Sequence, residues 1–192
     1  MSAVPQPSRL TLEDFLAWEA GQEGKHEFVD GEVFAMSGGS KVHHRIALNI
    51  YRALYDQLAA RGCFPFHEAQ ILAGDNVFYP DVTVACGADA IDGHLIEHPR
   101  HLFEVLSSST ADYDRGKKRM RYQERLASLQ TYVLVAQHEM MVEVLRRTRH
   151  GWTSELYSQP EDVIELFDPP CRLTLANIYE QLLDRPGGEL PR

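Results

Sequence analysis

Two acidic residues interrupt short apolar segments in the middle of the chain. Asp81 lies in the segment Val-Phe-Tyr-Pro-Asp-Val-Thr-Val, and Glu104 lies in Leu-Phe-Glu-Val-Leu. Both segments are rich in β-branched and aromatic residues, which is typical of buried strands. A carboxylate in such a strand loses hydration and must be paired, hydrogen-bonded, protonated or bound to a metal. Lys118 follows on a segment with helical features, and two acids with a nearby lysine suit metal-assisted hydrolysis of a phosphodiester.

The alternation of side chains along a strand indicates how these acids could share one ion. Asp81 is expected on the same strand face as Thr83, and Glu104 on the same face as Leu106. If the two strands are neighbours in suitable register, both carboxylates reach a single cation. Hard oxygen ligands suit Mg²⁺ or Mn²⁺, so the predicted cofactor is Mg²⁺, with Mn²⁺ as its substitute.

The lysine belongs to a predicted helix from about residue 112 to residue 127. Asp114, Lys118 and Tyr122 recur at every fourth position and therefore share one face of that helix. We expect Lys118 to stabilise charge that develops on the phosphorus centre, or to orient the attacking water. Lys117 lies about 100° away around the helix and should face solvent or a phosphate backbone.

Each of these residues also has a purely structural interpretation. A single acid in a strand can pair with a buried arginine or serve as a cap, and Lys118 can be a surface lysine that pairs with Asp114. The helix is crowded with basic residues, which can form an ordinary solvated face; they are Arg115, Lys117, Lys118, Arg119, Arg121 and Arg125. Residue type alone leaves both interpretations open.

Length and composition indicate an ordinary globular protein. The chain has 192 residues, of which 44% are hydrophobic and 24% charged, enough for one domain with a full core. We expect that domain at residues 10–184, between flexible tails at 1–9 and 185–192. No segment approaches the roughly 20 apolar residues of a membrane helix, and the first residues contain no apolar signal core. The expected location is the cytoplasm, with no membrane partner.

The net charge of −9 counts against a nucleic-acid partner, because such proteins usually present a basic face. This argument is incomplete, because clustered metal-binding acids contribute to the negative net charge. Bound dications would make the electrostatic potential around those acids positive.

Cysteines and isolated histidines offer little chemistry in this sequence. The three cysteines, Cys63, Cys86 and Cys171, are odd in number and far apart, so we expect no disulfide framework and no metal site. Cys63 and Cys86 are expected to be small buried apolar residues. The remaining isolated histidines are predicted as loop residues without metal spacing; they are His94, His98 and His101.

The order of hydrophobic periodicities predicts the architecture. A helix starts after Thr11, a hairpin turns at Asp30-Gly31, and a long helix runs from about residue 42 to 60. Strands are then predicted at 64–72, around Asp81, around Glu104, and at 131–135, 141–147, 152–157 and 163–166, with a closing helix at 173–183. This order fits an α/β fold of the mixed α+β kind, with a central mixed sheet flanked by helices on both faces.

Three segments together form a specific pattern. They are Tyr79-Pro80-Asp81-Val82, Phe103-Glu104-Val105-Leu106-Ser107 and Asp114-Arg115-Gly116-Lys117-Lys118. In combination they resemble the Uma-two family of restriction endonucleases, a branch of the PD-(D/E)XK nuclease superfamily. The N-terminal segments His26 to Glu32 and Met36 to His43 also resemble motifs of that family, and the resemblance covers residues 10 to 180.

The resemblance implies a restriction endonuclease-like three-layer core and a role for each motif residue. Asp81 and Glu104 would be the metal ligands, and Lys118 the catalytic lysine. Glu27 and His43 match recurrent family positions, although Glu27 could equally form a hairpin ion pair and His43 could cap its helix. The implied partner is nucleic acid, with DNA favoured. We also expect a homodimer, because cutting both strands of a two-fold symmetric duplex suits a two-fold symmetric enzyme.

One position departs from the wider superfamily. Its lysine usually lies two residues after the second acid, where this chain has Leu106. The resemblance implies that the lysine has moved to the helix, at Lys118, which a long flexible side chain permits. The alternative is a catalytically silent nuclease fold that binds nucleic acid or protein as a module. A metal hydrolase for another substrate is a third hypothesis.

Overall fold

The computed structural model describes residues 10–107 and 110–182. The predicted tails at 1–9 and 185–192, as well as Ser108 and Ser109, lie outside the described residues. In chain order the elements are α1 (Leu12–Glu19), β1 (His26–Val29), β2 (Glu32–Ala35), α2 (Lys41–Ala59), β3 (Cys63–His67), β4 (Ile71–Ala73), β5 (Asn76–Phe78), β6 (Val82–Cys86), a 3₁₀ turn (Gly87–Ala90), β7 (His101–Leu106), α3 (Ala111–Tyr113), a π-helical turn (Asp114–Lys118), α4 (Arg119–Arg125), β8 (Thr131–Ala136), β9 (Val142–Thr148), β10 (Gly151–Tyr157), β11 (Val163–Leu166), β12 (Cys171–Thr174) and α5 (Leu175–Ile178).

A six-stranded mixed sheet forms the centre of the molecule. Its strand order is β10-β9-β8-β7-β6-β3, and β7 and β8 form its parallel pair. Parallel neighbours need a crossover connection, which α3, the π-helical turn and α4 provide. Strands β7 and β8 are buried along their whole length, as continuous apolar segments require of central strands.

Helices cover both faces of this sheet, which confirms the predicted mixed α+β architecture. On one face, α2 packs its stripe of Ile46, Ile50, Leu54 and Leu58 against sheet residues such as Val133. On the other face, Tyr122 of α4 and Leu126, which follows that helix, pack with Leu134. Strands β4 and β5 belong to a second sheet of order β2-β1-β5-β4, which also borders this face. Within the described ranges, none of the helices combines the length and apolar character that a membrane span requires.

The N-terminal elements follow the local signals in the sequence. Thr11 caps α1, since its Oγ1 accepts a hydrogen bond from the Asp14 backbone N–H at 3.1 Å. The hairpin between β1 and β2 turns at Asp30 and Gly31, which have φ values of 53° and 86°. Two positive φ angles are what a two-residue hairpin turn needs. The predicted hairpin is therefore confirmed.

Two predicted strands are each broken in the structure. The segment 64–72 divides at Glu68, whose φ of 47° turns the chain from β3 in the central sheet to β4 in the second sheet. The segment around Asp81 divides at Tyr79-Pro80-Asp81, between β5 and β6. Pro80 has no N–H to donate to a sheet. The prediction that Asp81 lies within a strand is thus wrong by one residue, because β6 begins at Val82.

The C-terminal part differs more from prediction. Strand β11 pairs with β12 in a separate two-stranded sheet and does not extend the central one. The predicted helix at 173–183 is reduced to α5, because β12 continues to Thr174, which then caps the helix by accepting from the Asn177 N–H at 3.0 Å. The strands predicted at 141–147 and 152–157 are β9 and β10, and β10 forms one edge of the central sheet.

The predictions for Cys63, Cys86 and His101 were wrong. Cys63 and Cys86 form a disulfide, because antiparallel pairing of β3 with β6 places them directly opposite each other. His101 opens β7 and is fully buried, with its Nε2 3.2 Å from the Pro169 carbonyl oxygen. Its burial lowers its pKa to about 4. Both arrangements depend on contacts between residues distant in sequence.

Candidate active site

The predicted site residues meet around one cavity of about 190 Å³ at the end of the central sheet. Six of the seven predicted residues line it, namely Glu27, His43, Asp81, Glu104, Asp114 and Lys118. The seventh, Tyr122, lies behind the lining and contacts Glu104. The six lining residues come from β1, α2, β7, the π-helical turn and the segment before β6, and Tyr122 comes from α4.

Strand pairing brings the two predicted metal ligands together. Val82 of β6 pairs with Phe103 of β7, so Asp81, one residue earlier, lies beside Glu104, one residue later. The Val105 backbone N–H donates to Asp81 Oδ2 at 2.6 Å. These contacts fix the Asp81 carboxylate at the end of the two inner strands β6 and β7, beside the cavity that Glu104 also lines.

His43 holds the second oxygen of Asp81. It lies in the first turn of α2, where Ser40 Oγ accepts a hydrogen bond from the His43 backbone N–H at 3.1 Å. The His43 Nε2 atom is 2.7 Å from Asp81 Oδ1. Burial opposes protonation of the ring, but the hydrogen bond and charge of Asp81 outweigh it and raise the His43 pKa. His43 is therefore both a helix residue and a partner of the predicted metal ligand.

Lys118 is buried and points at the acids. Its Nζ lies 2.8 Å from Glu104 Oε1, 2.9 Å from Glu27 Oε1 and 3.9 Å from Asp114 Oδ1. Its neighbour Lys117 is exposed. The predicted difference in direction between the two lysines is present, although the turn that carries Lys118 is π-helical and not α-helical.

Burial controls the electrostatics of this cluster. It raises the pKa of Glu104 well above the ordinary value, against the opposing effect of Lys118. Burial likewise raises the pKa of Asp114. For Lys118, burial would lower the pKa, but Glu104, Glu27 and Asp114 together raise it well above its usual value. The lysine is therefore held as a cation among carboxyl groups that compete for it.

Two tyrosines support the cluster from behind. The Tyr122 hydroxyl donates to Glu104 Oε1 at 3.2 Å, and the Tyr132 hydroxyl donates to the Asp114 carbonyl oxygen at 3.2 Å. The two rings meet edge to face with centroids 5.3 Å apart. Both residues are fully buried, and each holds an acidic residue of the cluster by a hydrogen bond.

Glu27 is the best-supported addition to the predicted metal ligands. Its Oε1 contacts Lys118, whereas its Oε2 is buried without a hydrogen-bond partner in the described part of the chain. A buried anionic oxygen without a partner is costly, and a cation in the cavity would satisfy it. The donor set of Glu27, Asp81 and Glu104 consists of carboxylate oxygens, which fits the hard cations Mg²⁺ and Mn²⁺.

Several lining residues were missed by sequence reasoning. Glu68 reaches the cavity through the kink between β3 and β4, and its backbone N–H donates to the Asp81 carbonyl oxygen at 3.1 Å. Gln137 follows β8 and accepts from Ser40 Oγ at 2.9 Å. Only the position of Gln137 at the end of a buried strand could have indicated its role. Glu68 had no local signal.

A mixed sheet covered by helices on both faces, with acids and a lysine at the end of its inner strands, is the arrangement of the restriction endonuclease-like folds. The family model described as "Putative restriction endonuclease", Uma2, matches residues 12–176. The chain belongs to this Uma-two family, as its motifs indicated.

Relatives and a solved structure agree with that membership. The chain is 34% identical over 184 residues to the uncharacterized protein slr1290 of Synechocystis sp., covering 94% of this chain and 96% of the relative. It is 29% identical over 149 residues to the uncharacterized protein sll1609 of the same organism, covering 74% and 84%. The crystal structure of a putative nuclease belonging to DUF820 from Anabaena variabilis superimposes with a TM-score of 0.73 at 18% identity, covering 88% of this chain and 97% of that one. Because the sequence identity is only 18%, this match supports a shared fold and not a shared activity.

Proposed function

We propose that this protein is a metal-dependent endonuclease that hydrolyses phosphodiester bonds in DNA. Asp81, Glu104 and Glu27 would hold Mg²⁺ or Mn²⁺. When bound, the cation would supply Lewis-acid stabilisation of phosphoryl charge and lower the pKa of water. The family is one of restriction endonucleases by its description, which supports this reaction class.

The chain's own residues have separate roles in this proposal. Lys118 presents a cationic Nζ at the acids, where it can stabilise negative charge that grows during the reaction. Tyr122 fixes the Glu104 carboxylate, and His43 fixes that of Asp81. Asp114 lies close enough to Lys118, at 3.9 Å, to keep the ammonium protonated.

One observation carries the choice of an enzyme over a silent binding module. Lys118 Nζ lies within 2.9 Å of both Glu104 and Glu27, although the usual superfamily position of the lysine holds the buried Leu106. Keeping an ammonium and several acids away from water is expensive. A binding module would have no use for that arrangement, whereas a catalyst of phosphoryl transfer does.

Cleavage assays test the proposal. Supercoiled, duplex and single-stranded DNA and RNA are incubated with the protein in Mg²⁺, Mn²⁺ or EDTA. We expect cation-dependent DNA cleavage that Asp81→Asn and Glu104→Gln reduce by at least about 100-fold. The matched control is Glu155→Gln, which removes an acid that binds Arg146 on an exposed face.

The possible outcomes separate the three hypotheses. DNA cleavage in Mg²⁺ that persists in both acid variants would reject this site. Nucleic-acid binding without cleavage under any cation would favour the silent module. Hydrolysis of small phosphoesters alone would favour a metal hydrolase for another substrate. The cytoplasmic location remains a prediction from sequence.

A further inference from the structure

A second group of possible metal ligands lies beside the candidate active site and was not predicted from the sequence. It consists of His44 on α2, His67 at the end of β3 and Glu68, which follows it. One potential ligand atom from each residue lies within 4.8 Å of the other two. A tetrahedral site with ligands at ordinary zinc distances needs about 3.3 Å between ligand atoms. The half-exposed His44 side chain can close that gap by rotation.

The cluster contains an unsatisfied ligand atom. The Nε2 of His67 is buried and has no hydrogen-bond partner among the described residues. Such an atom is rare in folded proteins unless a water or an ion satisfies it. A metal ion held by His67 would remove this deficit.

Glu68 is already oriented for the same purpose. Lys25 Nζ donates to Glu68 Oε2 at 2.7 Å and to the Glu68 carbonyl oxygen at 3.0 Å. The other oxygen, Oε1, lies 4.0 Å from His44 Nδ1. Glu68 follows His67 directly at the kink between β3 and β4, where its φ is 47°. Partners that fix a ligand from outside are typical of functional metal sites.

The ligand set differs in chemistry from that of the oxygen-lined cavity. Two imidazoles and one carboxylate suit Zn²⁺ and related transition metals, and leave a fourth position for water. Asp81, Glu104 and Glu27 offer oxygens alone, which suit Mg²⁺. The rings of His43 and His44 have centroids 5.6 Å apart. The histidine-containing cluster and the oxygen-lined cavity are therefore neighbours, but different side chains would bind the metal in each.

We propose that His44, His67 and Glu68 bind a transition-metal dication of the zinc type at a site separate from the Asp81 and Glu104 pocket. The site borders the cavity through Glu68, which lines both. The inference goes beyond the proposed nuclease function and does not depend on it.

Calorimetric titration with Zn²⁺ tests the site, using untagged protein that carries Asp81→Asn and Glu104→Gln. This background removes the proposed catalytic acids, so the outcome does not depend on whether the protein cleaves DNA. We expect about one equivalent of Zn²⁺, with affinity reduced roughly 100-fold or more by His44→Ala or by His67→Ala. Co²⁺ in place of Zn²⁺ should give visible absorption bands that the same substitutions remove.

Matched variants separate ligation from general damage. His98→Ala removes an exposed histidine that pairs with Asp89 and should leave Zn²⁺ affinity unchanged. Lys25→Met removes the outer partner of Glu68, so Zn²⁺ affinity should fall, but by less than in His44→Ala or His67→Ala. Metal-free thermal unfolding checks each fold, and if His67→Ala does not fold, the half-exposed His44→Ala decides alone. Absence of binding in the parent protein, or full affinity in folded His44→Ala, would overturn the proposal.

Discussion

At the scale of the residue, Lys118 decides between an active and a silent site. Lys118→Ala should lower single-turnover cleavage at saturating DNA by roughly 100-fold or more, because it removes charge stabilisation made mainly in the transition state. The Mn²⁺ affinity should hold or rise, since the ammonium no longer competes for Glu104 Oε1 and Glu27 Oε1.

Lys117→Ala is the matched control for that substitution, because Lys117 is adjacent but exposed. It should weaken DNA binding, and more so at low salt, while the rate at saturation stays near that of the wild type. If the cleavage rate at saturating DNA falls by the same small factor in both variants, neither lysine is catalytic.

His43 permits a prediction about protonation. Its pKa lies above 6.5 because Asp81 outweighs the effect of burial. Asp81→Asn removes the charge and leaves the burial, so the His43 pKa measured by NMR should fall below 6.5. Asp89→Asn, which removes the acid beside the exposed His98, should leave it unchanged.

The same shift has a consequence for stability. A histidine with a raised folded pKa adds stability below its unfolded pKa, and that contribution is lost as pH rises through the folded pKa. The stability advantage of the wild type over His43→Gln should therefore shrink above pH 6.5, as measured by urea unfolding. An advantage that grows with pH would contradict the His43–Asp81 assignment.

At the scale of the element, the loop between β2 and α2 fixes His43. A Cβ added at Gly39 would lie 2.6 Å from His43 Cδ2, whereas one added at Gly38 would meet no atom within 4 Å. Gly39→Ala should therefore displace the His43 ring from Asp81 and lower its pKa, and Gly38→Ala should not. NMR titration of the two variants checks this, and identical titrations would reject it.

The elements also show how far sequence reasoning reached. Spacing identified the face that carries Asp114, Lys118 and Tyr122, because each of these residues lies on one continuous segment. The π-helical turn there was not predictable, since it depends on packing against the sheet. The roles of Glu68 and the Cys63–Cys86 pair were missed for a similar reason. Each arises where segments distant along the chain meet, and local periodicity carries no information about that.

At the scale of the whole molecule, we predict a homodimer, which light scattering at micromolar concentration should detect as twice the chain mass of 21.8 kDa. The apolar surface that could form the interface lies on β10, one edge of the central sheet, where Leu156 is 68% exposed. Leu156→Lys should favour the monomer, and Ile91→Lys, at another exposed apolar residue, should not. A monomeric wild type would remove this prediction and leave the nuclease proposal standing.

The crowding of acids around one lysine has a consequence for the order of events. The cavity is lined by four acids and one buried lysine, namely Glu27, Asp81, Glu104, Asp114 and Lys118. The whole chain has a net charge of −9. A polyanion approaching the empty cavity meets repulsion, and a dication reverses the sign of that field. Duplex DNA should therefore bind at least about 10-fold more weakly in EDTA than in Ca²⁺ by fluorescence anisotropy. Asp114→Asn removes one of these acids and should reduce the difference in DNA affinity between EDTA and Ca²⁺. Ordered binding, with the cation before the DNA, follows from this charge reversal. Equal DNA affinity in EDTA and in Ca²⁺ would contradict it.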